Sequence, residues 1–526
     1  MILDIGDGLT MGIKYNIFIA FDLWQWLIIF CVTIYGIWLL NVKMTGKNYT
    51  ITKISLPYSS IVLVSVLVLF FSSAFIKPAH RKIYDTPQDK RTYLFTFGMS
   101  TFNQKDTIKT ISKVITRGYL KVKAQSELEN VNQNTKANTS NVNGAFQNKN
   151  LIMIMMETVE EYAIDEKLTP TLFYLMNQGY NFTNAYGVAK TNNTYDAEFK
   201  SLTSMMYYDT NNIMYSFDKN EFTNALPNLL RDNGYTANSF HSNTKTYFNR
   251  ENMHKALGFE RFYAKEDMKF REDVTYPLDS ELFDQMKDLY APVQDQPFFS
   301  FIVTYSTHGP FIFEEPKPEF KEYYEKIQAD GRFDKHEKEF INLLAAQMNL
   351  DEGLETMLND LKDKGLLNDT IIVLFSDHKN YSSSDITKKY TPLTTENEIY
   401  NYEIDKVPFA IYNPQITPRK IDYLTSQYDI LPTIVDLLGI KIIKDYYYGQ
   451  SVFLYDIDKY ENKPIIFGYN RWIDKKMIVY DTKILYIDPS VEDEETYFLE
   501  LQAQVFGTIN IYHAFLLNDY FRKTAN

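Results

Sequence analysis

Two strand-like runs in the sequence end directly on residues able to hold a metal ion. Leu151 to Met156 reads LIMIMM and is followed at once by Glu157. Thr370 to Ser376 reads TIIVLFS and is followed by Asp377 and His378. A third run, FFSFIVTYS from Phe298 to Ser306, leads to His308. Glu157, Asp377 and His378 bring together two carboxylates and an imidazole, donors that a divalent ion accepts. Each alone proves little. An Asp-His pair after a strand is more often structural, and a carboxylate such as Glu157 can equally stabilise the start of a helix through its dipole. Their common position at strand ends is the signal.

The elements that must position these residues are legible from periodicity. Short, wholly apolar runs are expected of strands buried on both faces. Helical stretches lie between them, at Thr171 to Gln178 and Glu337 to Lys364. Strands alternating with helices imply a mostly parallel sheet covered on both sides, and such sheets gather function at the carboxyl ends of their strands. After VPFAIYNP, the segment SQYDILPTIVDLLGI reads as a closing helix with its apolar positions on the sheet. Beyond about residue 460, IIFGYNRWI, MIVYDTKILYI and TYFLEL read as a small antiparallel sheet with no assigned chemistry.

Composition narrows the partners. A net charge of -13 argues against nucleic acid, whose phosphates call for a basic surface. The single cysteine, Cys31, excludes an intrachain disulfide and any cysteine-based zinc site. Two charge-free runs, Leu23 to Val42 and Ile54 to Ile76, are long enough to span a bilayer. Lys43, Lys47 and Lys53 between them are nearly balanced by Lys77, Arg81 and Lys82 after the second, so charge alone does not set the orientation. The expected organisation is a membrane anchor over residues 1–76, with helices at about 23–42 and 54–76. A helical juxtamembrane segment and Asn-rich linker follow over 77–149, then a catalytic domain over 150–455 and a C-terminal subdomain over 456–526. The linker reading rests on Ala124 to Asn150, which has too little apolar surface to order itself.

The segment NNTYDAEFKSLTSM, Asn192 to Met205, resembles the nucleophile region of the lipoteichoic acid synthases. These are phosphoglycerol transferases of Gram-positive bacteria within the sulfatase-like, alkaline phosphatase superfamily. The similarity continues in MMET (Met155 to Thr158), FHSNTKTYFNR (Phe240 to Arg250), TYSTHGPF (Thr304 to Phe311) and FSDHKNY (Phe375 to Tyr381). These motifs keep their order and cover roughly residues 150 to 440.

The resemblance implies an α/β, sulfatase-like fold and a role for each matched residue. Thr194 would be the covalent nucleophile and also a metal ligand. Glu157, Asp377 and His378 would complete the ligands of one divalent ion, typically manganese in the family, with magnesium as the alternative. His241, Phe248, Arg250 and His308 would line the substrate's phosphate and glycerol. A threonine hydroxyl needs activation, which metal coordination supplies, and Arg250 offers a planar fork to phosphate. Asp196 and Glu198 are read as supporting the loop. The implied reaction moves glycerol phosphate from phosphatidylglycerol to a glycolipid-anchored polyglycerolphosphate or another envelope glycan, at the cell membrane with the catalytic domain outside.

Some positions depart from the family pattern. Phe248 stands where Trp is usual, Lys379–Asn380 where Tyr-Gly is usual, and Asn192–Asn193 where Gly-Lys is usual. Two membrane runs are counted where the family has five. No proposed ligand is lost, but the acceptor stays open. Among relatives in the superfamily, a sulfatase would carry a Cys- or Ser-x-Pro-x-Arg motif where this chain reads NTYDAEF, and a phosphoethanolamine transferase is usually rich in disulfides. A catalytically degenerate, membrane-tethered binding protein is the alternative of another class. The complete set of Thr194, Glu157, Asp377 and His378 counts against it.

Overall fold

In the computed structural model the chain divides into two units, Met1–Tyr119 and Leu120–Asn526. The structure describes residues 128–524 except 130, 189–192, 209–211, 272–273, 275–276, 313–316, 381–383 and 392–401. Both apolar runs and the juxtamembrane stretch up to about residue 123 lie outside the described residues. Among the described residues no helix is long and apolar enough to cross a membrane.

The second unit is organised by an eight-stranded sheet. From edge to edge its strands are β5 (Arg261–Tyr263), β4 (Thr236–His241), β6 (Phe298–Val303), β1 (Asn150–Met156), β7 (Thr370–Ser376), β8 (Phe409–Tyr412), β2 (Tyr180–Phe182) and β9 (Arg419–Ile421). All neighbours pair in parallel except β8, which runs against both β7 and β2. The expected strands at LIMIMM and TIIVLFS therefore form the centre, and FFSFIV lies beside them.

Period-two alternation explains why these central runs are apolar throughout. Leu151, Met153 and Met155 enter one core with α2 (Thr194–Thr203), α3 (Arg250–Leu257) and α6 (Ile430–Leu437). Ile152, Ile154 and Met156 face the other way, into a core with α1 (Pro170–Asn177), α4 (Asp279–Tyr290) and α5 (Lys338–Asp363). A strand with one wet face would have shown alternate polar residues.

The pairing register decides what reaches the rim. Met156 lies opposite Ser376, Met155 opposite Val303, and His241 opposite Val303. Because these strands are parallel, Glu157, Asp377, Thr304 and His241 all emerge at one edge of the sheet.

Two expectations differ from the structure. TYFLEL belongs not to the antiparallel sheet but to α7 (Glu494–Asn518). The small sheet itself has four strands: β11 (Ile465–Gly468), β12 (Arg471–Ile473), β13 (Met477–Tyr480) and β14 (Lys483–Tyr486), while β3 (Ala185–Tyr186) and β10 (Thr425–Ser426) pair in parallel by themselves. Asp493 caps α7 by accepting from the Thr496 N–H at 3.0 Å, and Glu494 and Glu495 sit where the helix dipole favours negative charge. Leu501, Val505 and Ile509 then recur on the buried side at helical spacing. The Asn-rich stretch, meanwhile, is packed from residue 131 onward. Phe146 is buried in the core, Lys136 bridges to Ile443, and Asn143 Nδ2 donates to Asp436 Oδ1 at 2.9 Å. Its polar side chains are ordered by hydrogen bonds to the main domain, a source of order that hydrophobic composition does not register.

Candidate active site

Glu157 and Asp377 leave adjacent parallel strands, and a strained residue ties them together. Thr158 has φ 49°, a left-handed conformation rare for a β-branched residue. That geometry lets its N–H donate to Asp377 Oδ1 at 2.8 Å while its hydroxyl donates to Glu157 Oε1 at 2.8 Å. The Glu157 N–H donates to Thr304 Oγ1 at 2.9 Å, and Thr307 Oγ1 donates to the Glu157 carbonyl. Gln427 Nε2 donates to the carbonyls of Ser376 and Asp377 at 3.0 and 2.7 Å. The two carboxylates are thus fixed from several elements at once.

His378 completes the cluster. Its Nδ1 lies 3.0 Å from the Lys379 carbonyl and so must carry the donated proton, leaving a lone pair on Nε2 when the ring is neutral. Nε2 faces Asp377 Oδ2 at 3.1 Å and Glu157 Oε1 at 3.8 Å. Asp377 Oδ2 is buried and accepts no hydrogen bond among the described residues. One ligand atom from each of Glu157, Asp377 and His378 lies within 4.8 Å of the others. Burial, and next the charge of Glu157, push the Asp377 carboxyl up to about 7. Burial also acts to raise Glu157, but the charges of His378 and His308, with hydrogen bonds from Thr158 and Thr194, outweigh it and hold this carboxyl below its usual range. Buried carboxylate oxygens and an imidazole nitrogen converging within a few ångströms of one another are what a divalent cation needs. The residues fit the metal expected of the fold family.

Thr194 is the first residue of α2, following Asn193 in extended conformation. Its Oγ1 donates to Glu157 Oε2 at 2.9 Å, which places the hydroxyl directly against the metal-binding carboxylate. The start of a ten-residue helix also favours an anion arriving at that point.

Arg250 begins α3 and is 1% exposed. Its Nε donates to Glu198 Oε2 at 3.0 Å, and Nη1 is buried with no partner among the described residues. Glu198 lies one turn beyond Thr194 on α2, so Arg250 is held on the same helix face as the hydroxyl. Phe248 packs beside Arg250: its ring is 5.0 Å from that of Tyr195 and 5.4 Å from the Arg250 guanidinium. Phe248 and Asn249 are both left-handed, at φ 55° and 61°, and Asn249 Nδ2 secures the turn on Met214 O and Asp218 Oδ2 at 2.9 and 3.0 Å.

His241 ends β4 with Nδ1 donating to the Val303 carbonyl at 2.9 Å. Burial, and next the charge of Arg250, hold its pKa well below the usual value, so the ring is neutral with a bare Nε2. Tyr305 stands between the histidines, its ring 5.8 Å from His241 and 5.4 Å from His308. His308 is only partly buried, with Nδ1 on the Gly309 carbonyl at 2.7 Å.

The structure therefore brings Glu157, Thr194, Asp377 and His378 into direct or near contact, and sets Arg250, Phe248, His241 and His308 along the same rim. Of the two acidic residues read as supports, Asp196 pairs with Lys200 at 2.7 Å in full burial, and Glu198 holds Arg250. Thr158 and Gln427 were missed. Neither has a local sequence signal, since one acts through a left-handed backbone and the other from a distant segment. Thr304 and Thr307 lie inside TYSTHGPF and could have been found there.

Glu198 also makes a stability prediction. Burial acts to raise its pKa, but Arg250 and then His254 outweigh that and lower it from 4.5 to about 2. The folded value lies below the unfolded one, so this stabilisation is present above about pH 4.5 and is lost as pH falls toward 2. Glu198→Gln is expected to cost roughly 3 kcal/mol at neutral pH, with the deficit shrinking toward pH 2. Urea unfolding across that pH range measures it; a constant deficit would contradict it.

The Sulfatase family profile matches residues 149–440, more than half of the chain. Lipoteichoic acid synthase 2 of Bacillus subtilis is 27% identical over 424 residues, covering 77% of this chain and 62% of that protein. Lipoteichoic acid synthase of Staphylococcus saprophyticus is 26% identical over 395 residues, covering 72% and 58%. The match thus spans less than two thirds of either relative's length. The crystal structure of the lipoteichoic acid synthase LtaP from Listeria monocytogenes superposes with a TM-score of 0.55 at 21% identity, covering 74% of this chain and 96% of that one. A protein of the alkaline phosphatase superfamily from Vibrio parahaemolyticus does so with a TM-score of 0.51 at 17% identity, covering 74% and 90%. Both share the fold.

Proposed function

The chain belongs to the Sulfatase family, and from that premise we propose that it is a phosphoglycerol transferase acting on phosphatidylglycerol through Thr194. One observation carries the reading. Thr194 Oγ1 stands 2.9 Å from Glu157 in a cluster otherwise built from Asp377 and His378, where a hydroxyl has no structural need to be. The similarity to lipoteichoic acid synthases supports phosphatidylglycerol as donor and a polyglycerolphosphate or other envelope glycan as acceptor.

Glu157, Thr194, Asp377 and His378 would hold one divalent ion, manganese or magnesium. When bound, that ion would supply Lewis-acid polarisation of the phosphoryl oxygens and would lower the pKa of the threonine hydroxyl. The chain's own residues do the rest. Arg250 Nη1, buried and unpaired, takes a phosphoryl oxygen, and Phe248 walls that side. His241 Nε2, a bare acceptor, receives a glycerol hydroxyl. Thr194 Oγ1, its proton passing toward Glu157 Oε2, bonds to phosphorus as the bond to diacylglycerol breaks. His308 protonates the departing oxygen. A glycerophosphoryl group is then esterified to Thr194, and an acceptor hydroxyl, deprotonated by the same histidine, displaces Thr194, whose Oγ1 takes its proton back from Glu157 Oε2.

In this reading the catalytic domain covers residues 150–455 and a C-terminal subdomain 456–526, anchored by residues 1–76 with the catalytic domain outside the cell membrane. A lipid donor requires a site held near a bilayer. The test is release of fluorescent diacylglycerol from labelled phosphatidylglycerol vesicles. Release is expected with manganese, abolished by a chelator and restored by added metal. Equal release from phosphatidylethanolamine, or release indifferent to the chelator, would overturn the assignment.

A further inference from the structure

Arg250 is held by a chain of buried groups that the reaction itself does not use. Glu198 Oε2 accepts from Arg250 Nε at 3.0 Å, and Glu198 Oε1 is in close contact with His254 Nε2. His254 Nδ1 meets Ser239 Oγ at 2.7 Å. Glu198, His254 and Ser239 are each 0% exposed, and Arg250 is 1% exposed. They come from three elements: α2 (Glu198), α3 (Arg250 and, one turn on, His254) and β4 (Ser239). We propose that Glu198, His254 and Ser239 form a buried stay that fixes the guanidinium of Arg250 and so determines how tightly the site holds a phosphodiester. This rests on the reading of Arg250 as a phosphate-holding residue.

The donors to Glu198 are determined. A carboxylate only accepts, so Arg250 Nε–H and His254 Nε2–H both donate to Glu198. His254 is then left with an acceptor at Nδ1 if neutral, and the Ser239 hydroxyl donates to it. The order serine, histidine, glutamate is that of an activated nucleophile, but full burial denies Ser239 any substrate. The other buried pair on α2 shows the contrast. Lys200 donates to Asp196 and also to the Val188 carbonyl, both at 2.7 Å, and serves only the fold. Arg250 keeps Nη1 unpaired in the same dry surroundings. A guanidinium is a rigid planar fork, so fixing its Nε edge fixes the direction of its Nη edge. The α3 helix puts His254 one turn after Arg250, so both side chains meet the same carboxylate from one face. Glu198 thereby acts through Arg250 as a positioning residue.

The test uses the full-length, manganese-loaded protein, with sn-glycerol 1-phosphate binding by calorimetry and turnover of fluorescent phosphatidylglycerol. Glu198→Gln is expected to weaken glycerol phosphate binding about tenfold or more and to raise KM in proportion. Ser239→Ala, at the far end of the chain, is expected to weaken it by less than about threefold. Arg250→Ala and Glu198→Gln/Arg250→Ala should bind alike, because Glu198 has nothing to position once Arg250 is gone. If Glu198→Gln does not fold, His254→Gln carries the test, since it keeps Glu198 paired with Arg250; about threefold or greater weakening is expected. Losses that multiply in the double variant, or a Glu198→Gln or His254→Gln protein whose folded fraction binds glycerol phosphate as the wild type does, would overturn the stay alone. Wild-type protein that fails to bind glycerol phosphate would overturn the reading of the site, and this inference with it.

Discussion

Thr194→Ala is expected to lower transfer from phosphatidylglycerol by on the order of 10^4 or more while leaving the fold intact. The side chain is almost fully buried at the first position of α2, where alanine is well tolerated by the helix. The structural loss is one hydrogen bond, that from Oγ1 to Glu157 Oε2. The chemical loss is the atom that bonds to phosphorus; the other hydroxyl on the cluster, that of Thr158, donates to Glu157 Oε1 rather than Oε2. Glu157, Asp377 and His378 remain, so the variant should still take up metal, with affinity reduced by one ligand. Thr194→Ser restores an oxygen at the same place and is expected to recover part of the activity. Turnover and metal content measured on the same preparations separate these effects. Undiminished turnover by Thr194→Ala would remove the nucleophile assignment, whatever the metal content.

Asp377→Asn is expected to abolish manganese binding at concentrations that saturate the wild type, and transfer with it, by about 10^2 or more in affinity. The local geometry makes this substitution clean. Asp377 Oδ1 accepts from the N–H groups of Thr158 and His378, each at 2.8 Å, and an amide oxygen can keep both. The amide nitrogen then replaces Oδ2, the buried atom that accepts nothing, and turns donor hydrogens toward the place of the cation. In the metal-free protein the same change removes a buried charge facing Glu157. The variant is therefore expected to be no less stable than the wild type without metal, and to show no rise in melting temperature when manganese is added. A wild-type-like rise in Asp377→Asn would show that the ion is held elsewhere.

The centre of the sheet was legible because each of its strands is buried on both faces and so appears as an unbroken apolar run. The polar residues that end those runs follow from the same pattern, and parallel pairing brings them to one rim. Thr194 was different: nothing in its periodicity marks it, and only the motif around it pointed there. Thr158 could not be read, because a left-handed threonine leaves no trace in composition. Gln427 reaches the site from about 50 residues beyond Asp377, and only the tertiary fold joins them. Glu198 was read as supporting its own loop; that it holds the guanidinium of Arg250, on another helix, required the structure. The error at TYFLEL came from weighing its aromatic and branched residues as a strand while passing over the Asp493-Glu494-Glu495 start signal. The Asn-rich stretch was misjudged because hydrogen bonds to Asp436, rather than apolar burial, order much of it.

The central claim is a covalent bond between Thr194 and the glycerophosphoryl group of a lipid. Mass spectrometry of the manganese-loaded protein after brief incubation with phosphatidylglycerol tests it most directly. The account predicts a glycerophosphoryl adduct on the peptide containing Thr194, absent in Thr194→Ala and absent when a chelator is present. Consumption of phosphatidylglycerol with the adduct on another residue, or with no adduct under conditions that trap the enzyme without acceptor, would contradict it.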